Sequence, residues 1–290
     1  MGILGWILLG LFAGAIAKLI VPGDDPGGII VTTLIGIAGA IIGGLIASAL
    51  DIGEIDEFFD LGTWLIAIAG SVLLLIAYRA VAGPRRTEPY DVLVGEPGLD
   101  HLRAGARVGT SALRRRAQLL AVRPDLDVVE LRGNVDTRLA KRAAGEVDVL
   151  VLAAAGLERL GRLHEAGGTL RDHIFVPAPG QGTIVVQARA GSAAGDVATA
   201  AGHARTMAWL SGERTVVREL FASCHTPVGV HADSARIRGF AGLPDGSQWL
   251  LDEVPVRDGD AVAAGRELAR RMCAAGAAEL LREADAMAAR

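Results

Sequence analysis

Three long apolar runs open the chain. Residues 2–21 are apolar but for Lys18, residues 29–50 carry no charge, and residues 61–77 are apolar between Asp60 and Arg79. Each approaches the roughly 20 residues needed to cross a hydrocarbon core, the third at the short end. The pattern predicts three transmembrane helices within residues 1–83. A chain without a basic start, and with two further apolar runs, does not read as a cleaved signal peptide. Gly36, Ala40 and Gly44 recur every fourth residue, as do Gly39, Gly43 and Ala47, and Gly10 with Gly14. This spacing lets helix backbones approach closely, although glycine is also simply common in membrane helices. Lys18 precedes the first loop, the second loop is purely acidic (Asp51, Glu54, Asp56, Glu57, Asp60), and Arg79, Arg85 and Arg86 follow the third run. Charge placement then predicts an outside N-terminus, with everything after Arg86 on the cytoplasmic side of a multi-pass inner membrane protein.

Beyond a short Gly/Pro-punctuated linker (84–90), the periodicity changes. Residues 106–110 read as a strand feeding a helix at Ser111, which Pro124 stops. Residues 127–131 form a second strand and 135–144 its helix; 147–152 are nearly all apolar, as expected of a central strand in a parallel sheet. Another helix starts at 155–160. Strand and helix alternate over short connections, the pattern of an α/β unit. Further on, Asp245-Gly246-Ser247 marks a hairpin turn, and Cys273 falls in the apolar period of 264–281, which predicts a core position.

Composition adds charge asymmetry. Residues 1–86 carry four basic groups against seven acidic ones, which leaves 25 basic and 26 acidic in the remainder. Between Arg103 and Arg142, however, ten basic residues face four acidic ones. Thr110 and Ser111 sit at one strand-to-helix junction, Gly133 and Asn134 at the next, and Arg114, Arg115, Arg132, Arg138 and Arg159 fall at or just beyond such junctions. Ligands of open parallel sheets bind beyond the carboxyl ends of the strands, where helix N-termini favour anions. A cationic rim there suits a ligand with several carboxylates or phosphates. For Arg116, Arg123 and Arg142 an ordinary surface role is favoured, arginine being nearly the only basic residue (only Lys18 and Lys141 are lysines). Nothing resembles the basic stripe or stacking platform of a nucleic-acid binder. No histidine or cysteine spacing suggests a metal.

The two cysteines differ in setting. Cys224 lies among small residues, next to His225 and before Pro227 and Gly229. That surrounding suits a loop presenting a thiol for covalent chemistry; it also suits a small apolar residue buried in a turn.

Several of these stretches carry a family resemblance. Gly109-Thr110-Ser111-Ala112-Leu113-Arg114-Arg115, the run 131–139 (Leu-Arg-Gly-Asn-Val-Asp-Thr-Arg-Leu), the run 152–161 and Pro177-Ala178-Pro179-Gly180-Gln181-Gly182 resemble porphobilinogen deaminase, or hydroxymethylbilane synthase. The loop around Cys224 resembles that family's cofactor-attachment loop. The likeness covers about residues 91–284. Separately, Gly5-Trp6-Ile7, the loop 22–28 and the glycine-spaced helix 36–44 resemble the small transglycosylase-associated, or stress-response, membrane proteins over about residues 1–82.

The first resemblance implies an enzyme of tetrapyrrole and haem synthesis that polymerises four porphobilinogen units with release of ammonia. It implies a dipyrromethane primer held by a thioether on Cys224. Arg114, Arg115, Arg132, Arg138 and Arg159 would neutralise the acetate and propionate groups of the growing chain, with Thr110, Ser111 and Gln181 as further contacts. Ala112 stands where many members have serine. The implied fold is a three-helix transmembrane segment followed by α/β. It comprises a periplasmic-binding-protein-like parallel-sheet domain (91–176), a return segment of an incomplete first domain (177–206) and a small α+β C-terminal domain (207–290). The family segment that carries the catalytic aspartate has no counterpart; Asp136 and Glu158, the acids nearest the motifs, are expected in ion pairs. The expected partners are porphobilinogen and the growing polypyrrole, the membrane, and a second copy through the membrane helices, with no nucleic acid. The alternative reading is a membrane stress-response protein fused to a catalytically incomplete deaminase remnant.

Overall fold

The computed structural model describes residues 3–20, 28–49, 61–82, 85–171, 174–200, 202–223 and 225–288. These fall into two units, one of 1–85 with 185–203 and one of 86–184 with 204–290.

The first unit contains helices α1 (Ile3–Ile20), α2 (Gly28–Ala49) and α3 (Leu61–Ala82). Their contacts follow the small-residue spacing. A Cβ placed on Gly10 would come within 2.5 Å of the Ile37 backbone, and one on Gly36 within 2.6 Å of Gly14 Cα. One on Gly43 would meet the Ile66 carbonyl at 2.8 Å. Leu9, Ala13, Ala40 and Ala67 form the small core, and Ser71 Oγ donates to the Gly36 and Ala67 carbonyls at 3.0 and 2.8 Å. The three helices are therefore where the pattern predicts them, but the membrane assignment is corrected. Among the described residues no helix is long and apolar enough to cross a membrane. The multi-pass location, the inside–outside orientation and the membrane as a partner go with it.

In the second unit, β1 (Asp91–Val94), β2 (Arg107–Gly109), β3 (Asp127–Val129), β4 (Val149–Ala153) and β5 (Gly168–Leu170) form one sheet in the order β3-β2-β4-β1-β5. β2 runs parallel to β3 and β4, whereas β1 runs antiparallel to β4 and β5. The sheet is thus mixed rather than parallel throughout. The connections through α4 (Leu113–Val122) and α5 (Val135–Ala143) supply the crossovers that parallel pairing needs; β1 is antiparallel and needs none. β4 is central, and both faces are covered. Val149 and Val151 join Leu93, Val108, Ala117 and Leu119 on one side, while Leu150 and Leu152 join Val92, Val94, Leu139 and Leu157 on the other. Each helix start has its own chemistry. Asn134 caps α5 by accepting from Thr137 N at 2.8 Å, but Ala112, at the start of α4, has no side-chain cap to offer. Helix α6 (Ala154–Arg159) follows β4 directly.

After α7 (Ala193–Ala200), which belongs to the first unit, α8 (Ala204–Glu219) leads into an antiparallel sheet of β6 (Val228–Ala232), β7 (Arg236–Gly242) and β8 (Trp249–Pro255). Asp245 accepts from Ser247 N at 3.0 Å, and Gly246 has φ 74°, so the β7–β8 turn forms as read. Helices α9 (Ala261–Ala274) and α10 (Ala277–Ala288) complete this layer. Its core joins Val216 and Leu220 to Val230, Ile237, Leu268, Met272 and Leu281, and Phe240 reaches the core of the five-stranded sheet. Cys273 is exposed, not in the core. Leu268 and Met272 define the buried stripe of α9, and the next residue turns about 100° away from it.

Candidate functional site

The N-terminus of α4 opens onto a cavity of about 650 Å³. Thr110, Ser111, Ala112, Leu113 and Arg116 form one wall, Glu130 and Arg132 a second. The C-terminal layer supplies the third, with His225, the β7–β8 turn at Pro244 and Asp245, and the end of α10 at Asp285 and Met287. Without a side-chain cap the first amides of α4 stay available to an acceptor, which favours an anion at this end. Thr110 is committed to the junction: it is buried, its amide donates to the Val129 carbonyl at 3.0 Å, and its Oγ1 accepts from Ala112 N at 3.2 Å. Ser111 is exposed and receives Arg138 Nη2 at 3.1 Å.

The arginines separate into three groups. Arg132 projects into solvent at the cavity, its Nε on Glu130 at 2.6 Å. Arg138 reaches across from α5, with Nε on the Gly133 carbonyl at 2.8 Å. Partial burial, and then the neighbouring Arg115, lower its pKa from the usual arginine value; it stays charged and poised to gain from an anion. Arg114 and Arg115 are held differently. Arg114 is buried, with Nη1 on Asp91 Oδ2 at 2.8 Å and on the Val176 carbonyl at 2.9 Å. Arg115 gives Nη2 and Nε to Asp91 Oδ1 at 2.7 and 3.0 Å. Gln181 closes this group by donating to Asp91 Oδ1 at 2.9 Å and to the Pro89 carbonyl at 2.5 Å. Arg159 is exposed and donates to the Gly182 carbonyl at 2.8 Å. Cys224 lies outside the described residues.

Asp91 is the residue that the sequence reading missed. Burial pushes its carboxyl up, but the charges and hydrogen bonds of Arg114 and Arg115 outweigh burial and bring it to about 2. The signal was there: an acid at the head of the apolar stretch Asp91-Val92-Leu93-Val94, with no α-helix after it to complete a strand–helix unit. Arg116, read as an ordinary surface residue, lines the cavity while its Nη1 donates to the Val128 carbonyl at 2.7 Å. Asp136 does sit in an ion pair, with Arg162 at 2.6 Å. Among the described residues no cluster could hold a metal ion.

The family comparisons bear on this arrangement directly. Residues 76–196 match the family model described as porphobilinogen deaminase, dipyromethane cofactor binding domain, and residues 209–274 match the C-terminal domain of the same protein. A porphobilinogen deaminase of Moorella thermoacetica is 40% identical over 250 residues, covering 84% of this chain and 80% of the relative. Those of Thermobifida fusca and Thermus thermophilus are each 41% identical, over 217 and 206 residues; they cover 69% and 68% of this chain, and 68% of each relative. The chain belongs to the porphobilinogen deaminase family. Residues 33–83 match a separate model, transglycosylase associated protein. For a porphobilinogen deaminase the relevant group is a dipyrromethane, whose rings carry acetate and propionate. The cavity fits it in kind: a volume within the usual few hundred to about 1,000 Å³ of ligand sites, an uncapped helix start, a serine hydroxyl and the exposed guanidinium of Arg132.

Proposed function

We propose that this chain acts in tetrapyrrole synthesis as a hydroxymethylbilane synthase-type protein, carrying a dipyrromethane primer on Cys224 and accommodating porphobilinogen-derived rings in the cavity at the start of α4. One observation carries the reading. The uncapped N-terminus of α4, Ser111 and Arg132 share one cavity wall system with the His225 loop, on a chain that matches the cofactor-binding domain. A bound primer supplies the pyrrole terminus onto which further units are added; the protein supplies its binding.

In this reading Arg132 and Arg138 pair with ring carboxylates, Ser111 donates a hydrogen bond and the α4 amides take a further carboxylate. Arg114 and Arg115, already bound to Asp91, contribute field more than direct contact, since their donors are engaged within the protein. Gln181 holds Asp91 and thereby orients both arginines. Thr110 shapes the junction from which Ser111 projects, and Arg159 fixes the 182 backbone near the motif 177–182.

The test is intact mass. Protein expressed in cells supplied with porphobilinogen should carry a dipyrromethane adduct that a Cys224→Ala variant lacks. Unmodified protein from such cells would overturn the reading.

A further inference from the structure

We infer that Asp285, at the end of α10, receives the aminomethyl ammonium of porphobilinogen when the pyrrole enters the cavity, a role that rests on the function proposed above. The cavity is bipolar. The uncapped start of α4, Ser111, Arg116 and Arg132 offer donors and positive charge, while Glu130, Asp245 and Asp285 line the same space with carboxylates. A rim of cations alone would suit a ligand that carries only acids. Walls of both signs suit a zwitterion, and porphobilinogen is one: its ring bears acetate, propionate and a primary amine that is protonated at neutral pH.

The three acids are not equivalent. Glu130 Oε1 holds Arg132 Nε at 2.6 Å. Asp245 Oδ1 accepts from Ser247 N at 3.0 Å and from Ser247 Oγ at 2.7 Å, which fixes the β7–β8 turn. Asp285 is exposed and, among the described residues, has no hydrogen-bond or ion-pair partner. It also sits where a carboxylate gives its own helix nothing. Helix α10 ends at Ala288, so Asp285 lies in the last turn, at the negative end of the helix dipole, and that turn holds no basic residue. A cation brought there gains from the carboxylate and from the dipole together. The cavity thus sets the N-terminus of one helix, which favours an anion, and the C-terminus of another, which favours a cation, around one space. Ring carboxylates drawn to α4 and Arg132 leave the aminomethyl arm for the α10 end, and Asp285 thereby separates the monomer from pyrrole dicarboxylates that lack the amine.

Equilibrium binding reads this without turnover. The full-length chain carrying Cys224→Ala, in which no tether forms, is titrated by calorimetry at low salt with porphobilinogen and with the same pyrrole bearing methyl in place of aminomethyl. Asp285→Asn and Asp285→Ala should weaken porphobilinogen about fivefold. They should leave the methyl analogue equal or tighter, since a charge that repels its carboxylates is gone. The porphobilinogen difference should shrink at high salt, and Arg132→Gln should weaken both ligands. Thermal midpoints of the Asp285 variants should equal or exceed that of the starting chain, as expected when an acid leaves a helix C-terminus. Porphobilinogen affinity unchanged in both Asp285 variants, with Arg132→Gln still weakening both ligands, would overturn the role of Asp285 and leave the cavity as a carboxylate site. Equal weakening of the two ligands would assign Asp285 to the shape of the wall and overturn the role as well. A Cys224→Ala chain that binds neither ligand would overturn the cavity as the pyrrole site, and the role of Asp285 with it.

Discussion

At the scale of single residues, Asp91 governs the arginine motif. It joins Arg114 and Arg115, 5% and 11% exposed, to one carboxylate that is itself buried. Its depressed pKa has a definite consequence for stability. The folded carboxyl titrates at about 2 and the unfolded one at about 3.8, so the contribution is complete above the unfolded value and is lost as pH falls through the folded one. A shift of this size corresponds to about 2 kcal/mol. Urea unfolding of the parent at pH 6 and pH 2.5 should therefore show an acid-sensitive component that Asp91→Asn lacks. At neutral pH the same variant leaves two guanidinium groups facing each other without a counter-charge, which costs about 3–5 kcal/mol. An Asp91→Asn midpoint equal to that of the parent would contradict the assignment. None of this is visible in the motif itself, because Gly109–Arg115 reads identically whether its arginines face a ligand or an internal acid.

Elements were more legible than partners. The β2–α4–β3–α5–β4 succession is readable because its two helices are long enough to show their period and each ends at a breaker, as at Pro124 and at Gly145 with φ 80°. β1 escaped notice because no α-helix follows it to mark a strand–helix unit, and its antiparallel pairing needs no crossover to announce it. The small-residue rhythm was legible as helix contact at Gly10, Gly36 and Gly43, where an added Cβ would meet the backbone of the facing helix. A second glycine contact, between α8 and α9, was not, for its members lie in different segments. A Cβ on Gly265 would stand 2.5 Å from the Gly212 carbonyl, and one on Gly212 would strike the Ala261 carbonyl. Gly265→Val should destabilise the second unit by about 1–3 kcal/mol through overpacking. Ala263→Val, on the exposed side of α9, should cost under about 1 kcal/mol. Chemical denaturation of the two variants checks this; equal midpoints would show that the helices can separate without penalty.

At the scale of the second unit, Glu213 ties distant parts of the chain together. Its Oε1 receives Arg86 Nη1 at 2.5 Å and Ala232 N at 2.8 Å, and its Oε2 receives Gly180 N at 2.6 Å. One fully buried carboxylate thus joins the chain's entry to the five-stranded layer, the motif loop at 180, helix α8 and strand β6. Burial alone would raise its pKa, but the His231 ring, Arg86 and the Ala232 amide outweigh it and hold the group below its ordinary value. Arg86 and Glu213 are separated by 127 positions, so no local pattern could pair them. Phe240, projecting from β7 into the core of the larger sheet, makes the same connection with apolar surface. Two such ties imply that the α/β layer and the C-terminal layer open together. Glu213→Ala leaves Arg86 buried and uncompensated, at about 3–5 kcal/mol. If the layers are one cooperative body, amide exchange in β4 and in β6–β8 should be accelerated by the same factor, because each strand exchanges through the shared opening. A loss of protection confined to β6–β8 would mean that the C-terminal layer unfolds by itself. Glu213 would then be its anchor to the sheet rather than a member of a common core.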